Sequence, residues 1–89
     1  MKKINFKEVK VTDLKGNELH DLKVHESVGN ILASRSTDKP IRSMELARKI
    51  FLDGEIELPS EDVLLIRNAI LENRQITDLL KSAILKALE

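Results

Sequence analysis

Residues 53–62 read Asp53-Gly54-Glu55-Ile56-Glu57-Leu58-Pro59-Ser60-Glu61-Asp62, and this stretch decides the architecture. Gly54 suits the left-handed cap that closes a helix. Glu55 to Leu58 alternates charged and apolar residues at the period of a strand. Pro59-Ser60 followed by two acids is a helix-start signal. A helix therefore ends here, an extended segment passes, and a second helix begins. Ile56 and Leu58 either form a short strand that adds to a hairpin edge or plug the core from an extended connector.

Working back from Gly54, the spacing predicts a helix from about Ile41 or Ser43 to Asp53. Met44, Ala47, Ile50 and Phe51 fall on one face of it, with Arg48 and Lys49 on the other. Pro40 biases Lys39 away from helical geometry, so residues 34–40 read as a polar loop. Before that loop, Ser27 can cap a short helix to about Ser34, turning Val28, Ile31 and Leu32 inward. Residues 4–24 alternate as two strands around Asp13-Leu14-Lys15-Gly16-Asn17, a sequence suited to a type I turn with a left-handed glycine. That turn sets Val11 opposite Leu19 and Phe6 opposite Val24. Val9, Val11 and Leu19 then share one face, while Ile4, Phe6, Leu22 and Val24 share the other. Both strands change face near Lys7–Val9 and Asp21, which calls for a bulge or a strong twist.

Working forward, residues 61–72 place Val63, Leu64, Leu65, Ile66, Ala69, Ile70 and Leu71 around most of a helical circumference, as a central helix would. Arg67 sits inside that arc and must snorkel or meet a carboxylate. Asn73-Arg74-Gln75 breaks the chain. The last helix, about Ile76 to Leu88, carries one stripe of Ile76, Leu79, Leu80, Ala83, Ile84, Ala87 and Leu88. Leu85 points away from that stripe and is a candidate contact with another chain. The expected fold is α+β, a single small domain over 1–89. An N-terminal β-hairpin at about 4–24 packs against three to four helices in about 27–88.

Composition limits the chemistry. The chain has 89 residues, 42% of them apolar, with fifteen Lys and Arg against fifteen Asp and Glu and a formal net charge of zero. Neutrality argues against a dedicated nucleic-acid binder and removes the repulsion that keeps small proteins apart. The zero conceals a gradient. Residues 1–52 hold eleven bases and seven acids, and residues 53–89 hold four bases and eight acids. The acidic patch of Asp53, Glu55, Glu57, Glu61 and Asp62 reads either as solvated acids favouring a helix N-terminus or as a contact for a basic partner or a second copy. Its first three members join Leu85 as candidate partner contacts.

There is no cysteine, so there is no disulfide framework or thiolate metal site. His20 and His25, five apart on or after the second strand, fall on opposite strand faces, which does not suit shared metal ligation. Aligned on Gly54, a calcium loop would have Lys49, Phe51 and Ser60 where oxygen-rich ligands are needed, so no metal is expected. No serine lies in a Gly-x-Ser-x-Gly setting, and Gly16, Gly29 and Gly54 are too scattered to cradle a phosphate. The expectation is a protein that is not an enzyme and takes no cofactor. About seven residues separate the 41–53 and 61–72 helices, too many for a helix-turn-helix, and the second begins acidic. Contact with a nucleic-acid backbone by Lys2, Lys3, Arg42, Arg48 and Lys49 remains the alternative. Charges interrupt the start of an export signal, and no run of about 18 apolar residues exists to span a bilayer, so the cytoplasm is the expected compartment.

The segment ELARKIFLDGEIELPSEDVLLIRNAI at 45–70, the closing LLKSAILKALE at 79–89 and the leading DLKGNEL at 13–19 together resemble a type of small open reading frame found in prophages and mobile elements. The resemblance is one of pattern over most of the chain and carries no site residues. It implies a small accessory or assembly protein. Together the residues and the resemblance point to a non-enzymatic protein–protein interaction module, self-associating or docked on a partner, with a DNA-associated regulator as the alternative.

Overall fold

Six elements succeed one another in the computed structural model, which describes residues 1–35 and 37–89. They are strand β1 (Lys2–Asn5), helices α1 (Val24–Ala33) and α2 (Pro40–Asp53), strand β2 (Glu55–Leu58), and helices α3 (Ser60–Glu72) and α4 (Asp78–Ala87). The fold is α+β. All six elements contribute to one hydrophobic core, in which Phe6, Val28, Ile50, Leu58, Ile66, Ile70 and Ile84 are fully buried.

The 53–62 stretch behaves as its residues demand. Gly54, at φ +75°, closes α2 by donating its N–H to the Ile50 carbonyl at 2.9 Å. Glu55–Leu58 then forms a strand, and Pro59 is the N-cap of α3. The partner of that strand is β1. The two run antiparallel with Lys2 opposite Leu58 and Ile4 opposite Ile56, so Ile4, Ile56 and Leu58 face the core while Lys3, Glu55 and Glu57 face out.

The hairpin expected over 4–24 is present only at its tip. Thr12 bridges Glu18, the Leu19 N–H donates to the Val11 carbonyl at 2.8 Å, and the Asp13 N–H donates to the Asn17 carbonyl at 2.9 Å. One oxygen of the Asp13 carboxylate accepts from the N–H groups of Lys15 and Asn17, and Gly16 takes φ +90°. Below the tip the two arms separate, so Phe6 does not pair with Val24. The Phe6 N–H donates instead to the Gly54 carbonyl at 2.7 Å, extending the β1–β2 ladder. The change of face is therefore neither a bulge nor a twist. At Phe6–Lys7 and at His20–Asp21 the chain turns, and Asn5 holds the first turn by accepting from Glu8 N–H on its carbonyl and from Lys7 N–H on its side chain. A continuous ribbon would have exposed one apolar set, whereas β2 offers Ile4 an inward-facing partner.

Helix α1 begins at Val24, one turn before Ser27, and has no side-chain cap. The stripe Val24, Val28, Ile31 and Leu32 is buried along its length, and extending it by a turn outweighs the Ser27 cap. Helix α2 is rotated from its expected face. Ser43, Leu46, Ala47 and Ile50 are buried, and Phe51 is 37% exposed. Helices α1 and α2 form the most extensive packing in the fold. Their approach is close at Gly29, where a Cβ would lie 2.9 Å from the Phe51 Cβ and 3.0 Å from the Ala47 carbonyl oxygen. That helix pair, rather than α3, is the centre of the helical layer. Helix α3 buries one face through Asp62, Ile66, Ala69 and Ile70 and leaves Leu64, Leu71 and Arg67 exposed. Asn73 ends α3, and its side chain accepts from Gln75 and Ile76 N–H, turning the chain into α4. Thr77 caps α4 by accepting from Leu80 N–H, so the helix starts two residues later than Ile76.

Candidate interaction surface

Among the described residues Lys3, Lys23, Arg35, Arg42 and Lys49 each lie within ion-pairing distance of a carboxylate. On the outer face of the sheet Lys3 reaches Glu55 at 2.7 Å, and the hydrogen bond and charge of Glu55 raise the Lys3 pKa. Arg42, near the start of α2, crosses to α3 and hydrogen-bonds both carboxylate oxygens of Asp62 through Nε and Nη2. Asp62 is 5% exposed, and its hydrogen bonds hold the Arg42 guanidinium above the usual arginine pKa. The third guanidinium nitrogen, Nη1, meets Glu45 at 3.2 Å. Arg35 pairs with Glu72 at 2.6 Å, tying the segment after α1 to the end of α3.

These pairings place the basic candidates. Lys3, Arg42 and Lys49 share a shallow depression of about 520 Å³ with Glu45, Glu55 and Glu57. Lys49 also approaches Asp53, at 3.8 Å. Three bases and three acids line that depression, so its net field on a phosphate backbone is small. Lys2 projects from the other face of β1, because alternate strand residues point oppositely. Arg48 lies on the far side of α2. Lys3, Arg42 and Lys49 are thus brought together, while Lys2 and Arg48 lie apart from them. Of the acidic candidates, Glu55 and Glu57 stand together on the outer face of β2, while Asp53 belongs to the last turn of α2.

Leu85 does not stand clear of the protein. It is half-buried and packs on the core. The buried ridge of α4 is Leu80, Ile84 and Leu88, and at about 100° per residue both Ala83 and Leu85 flank Ile84 equally. Centring the stripe on Ala83 and Ala87 had placed Leu85 opposite it. His20 and His25 are likewise separated, His20 on the exposed turn and His25 on α1 beside Glu26.

Exposed apolar side chains occur on α3, at Leu64 and Leu71, and on the outward side of α2. Ile41 is 77% exposed and Leu52 70% exposed. Leu52, Met44 and the half-exposed Phe51 line an apolar groove of about 260 Å³, and Ile41 stands beyond it near the start of the helix. Gly29 and Ala33 of α1 form the other wall of the groove. Ser43, Leu46, Ala47 and Ile50 face the core, Ile41 and Leu52 lie on the opposite side, and Met44 and Phe51 flank the core face toward α1. Reading Met44 and Phe51 as core hid the outward side, although the exposed spacing of Ile41 and Leu52 carried the signal. Scattered exposed leucines are ordinary, whereas Phe51 and Leu52 are exposed together beside an apolar groove.

Among the described residues no helix is long and apolar enough to cross a membrane. No family model matches the chain, and neither a curated protein nor a solved structure matches it.

Proposed function

We propose that the protein works by contact with another polypeptide rather than by catalysis, and that the outward side of α2 with its neighbouring groove is the surface used. The observation that carries this reading is the exposure of Ile41 and Leu52 on the outward side of α2, with Phe51 and the half-buried Met44 beside them at the groove. Burying such side chains contributes about 25 cal/mol per Å² of apolar area, so a partner that covered them would gain free energy for the whole length of the helix. The absence of net charge lets a partner approach without long-range repulsion. We place the protein in the cytoplasm of a cell carrying a phage or mobile element, a setting that rests on the resemblance of 13–19, 45–70 and 79–89 alone. Capsid, tail or assembly genes beside its own would support that setting.

The test is photo-crosslinking in the cells that make the protein. A diazirine-bearing residue is placed at position 52 and, as a control, at position 17 on the hairpin tip. Covalent protein adducts from position 52 and none from position 17 are expected. Only uncrosslinked chain from position 52 would sink the reading.

A further inference from the structure

The exposed face of α2 is self-complementary when read in reverse. At about 100° per residue, Ile41, Glu45, Arg48 and Leu52 fall in one line on the outward side of the helix, within about 60° of arc. All four are exposed. Their spacings are four, three and four residues, which read the same from either end. Reversing the line sets Ile41 against Leu52 and Glu45 against Arg48. Met44 and Phe51 flank the line on the α1 side and add apolar surface next to both ends. Among the described residues Arg48 has no carboxylate at ion-pairing distance, while Glu45 has only the exposed contact with Arg42.

We infer that the partner on this surface is a second copy of the chain, bound through an antiparallel, two-fold pairing of α2 with α2. This rests on the interaction reading above and names its occupant. A two-fold interface must be self-complementary, residue i meeting j while j meets i. The antiparallel register gives that at each of the four positions. Ile41 meets Leu52 of the second copy at both ends, and Arg48 meets Glu45 twice in the middle. A parallel pairing sets Glu45 beside Glu45 and Arg48 beside Arg48, so charge selects the orientation as well as the partner. The line spans about 16 Å of helix at 1.5 Å per residue, short enough for the pairing to be reversible.

The experiment uses the purified full chain in sedimentation velocity from micromolar to millimolar concentration. A monomer–dimer equilibrium is expected. Glu45→Arg or Arg48→Glu alone places like charges together at two symmetric sites and weakens dimerisation about tenfold or more. The two together restore complementarity and recover most of the loss. All four positions are exposed, so circular dichroism should be unchanged. The chain has no cysteine of its own, so introduced thiols report cleanly. A mixture of the Ile41→Cys and Leu52→Cys variants should oxidise to the mixed disulfide in preference to either self-disulfide. A monomer at every concentration, a double variant as weak as the singles, or preferred self-disulfides would each overturn the antiparallel dimer. Crosslinks from position 52 to a different protein, with the purified chain monomeric, would overturn it too while leaving the interaction reading intact.

Discussion

Replacing Gly29 by alanine isolates what the α1–α2 crossing contributes. By propensity alone the change is favourable, because alanine in a helix interior is about 1 kcal/mol better than glycine. The packing opposes it. The new methyl carbon would lie 2.9 Å from the Cβ of Phe51, 3.0 Å from the Ala47 carbonyl oxygen and 3.2 Å from Phe51 Cδ2. Carbon atoms at optimal separation are about 3.5–4.0 Å apart. The two nearest atoms belong to or adjoin the α2 backbone, so a rotamer change of the half-exposed Phe51 ring cannot relieve them. The helices must separate by several tenths of an ångström, loosening Val28, Leu32 and Ile50, all buried at the same interface. Overpacking of this kind costs about 1–3 kcal/mol. Set against the propensity gain, the expected net loss is about 1 kcal/mol. The chain has no Trp or Tyr, so urea unfolding is followed by circular dichroism. With a slope of about 1 kcal/mol per molar urea, the midpoint falls by about 1 M. Asn30→Ala, one residue on and exposed, gains helix propensity with no new contact and should raise the midpoint slightly. If Gly29→Ala is as stable as the parent, or tracks Asn30→Ala upward, the close approach of α1 and α2 is wrong.

Arg42→Met leaves the buried Asp62 carboxylate without its main partner. Because Arg42 itself is about half exposed, the expected loss is about 1–2 kcal/mol in urea midpoint analysis, and Asp62→Asn in the same background should recover part of it. Thr77→Ala removes the acceptor for Leu80 N–H and should cost about 1 kcal/mol, with faster amide exchange confined to the first turn of α4. Lys3→Met tests the outer face of the sheet through pH. The Lys3 pKa is raised by Glu55, so its contribution is complete below the ordinary lysine value of 10.5 and is lost only as pH rises through the elevated one. The difference in melting temperature between parent and variant should be constant from neutrality to about pH 9 and vanish in strong alkali. A difference that already fades by pH 9 would contradict the pairing with Glu55.

What could be read from the residues was local. Gly54 ends α2, Pro59 opens α3, Asn73 breaks the chain and Asp13-Leu14-Lys15-Gly16-Asn17 turns it, each because the residue or its nearest neighbours set the backbone geometry. What could not be read depended on distant partners. Ile4 and Phe6 alternate as a strand should, yet nothing within 4–24 announces that their ladder lies on residues 54–58. Ser27 looks like a cap until the burial of Val24 adds a turn in front of it. The exposed apolar side of α2 was hidden for a related reason. An apolar residue on a helix looks the same whether it fills the core or waits for a partner, and only the rotation of α2 against α1 separates Leu46 from Phe51.

The pairing of Lys2–Asn5 with Glu55–Leu58 has a consequence for the order in which the molecule assembles. During synthesis the first strand leaves the ribosome more than fifty residues ahead of its partner, an interval of seconds at about 5–20 residues per second. The hairpin tip at 11–19 and the α1–α2 pair involve only earlier residues and are free to form in that interval. Ile4 and Phe6 stay uncovered until β2 appears, because closing so long a loop is repaid only when the ladder and the core contacts form together. In that interval Ile4 and Phe6 wait exposed for Ile56 and Leu58. Completion of β2 gives Ile4 and Phe6 their ladder, and α3 and α4, the last elements to emerge, close the core over it.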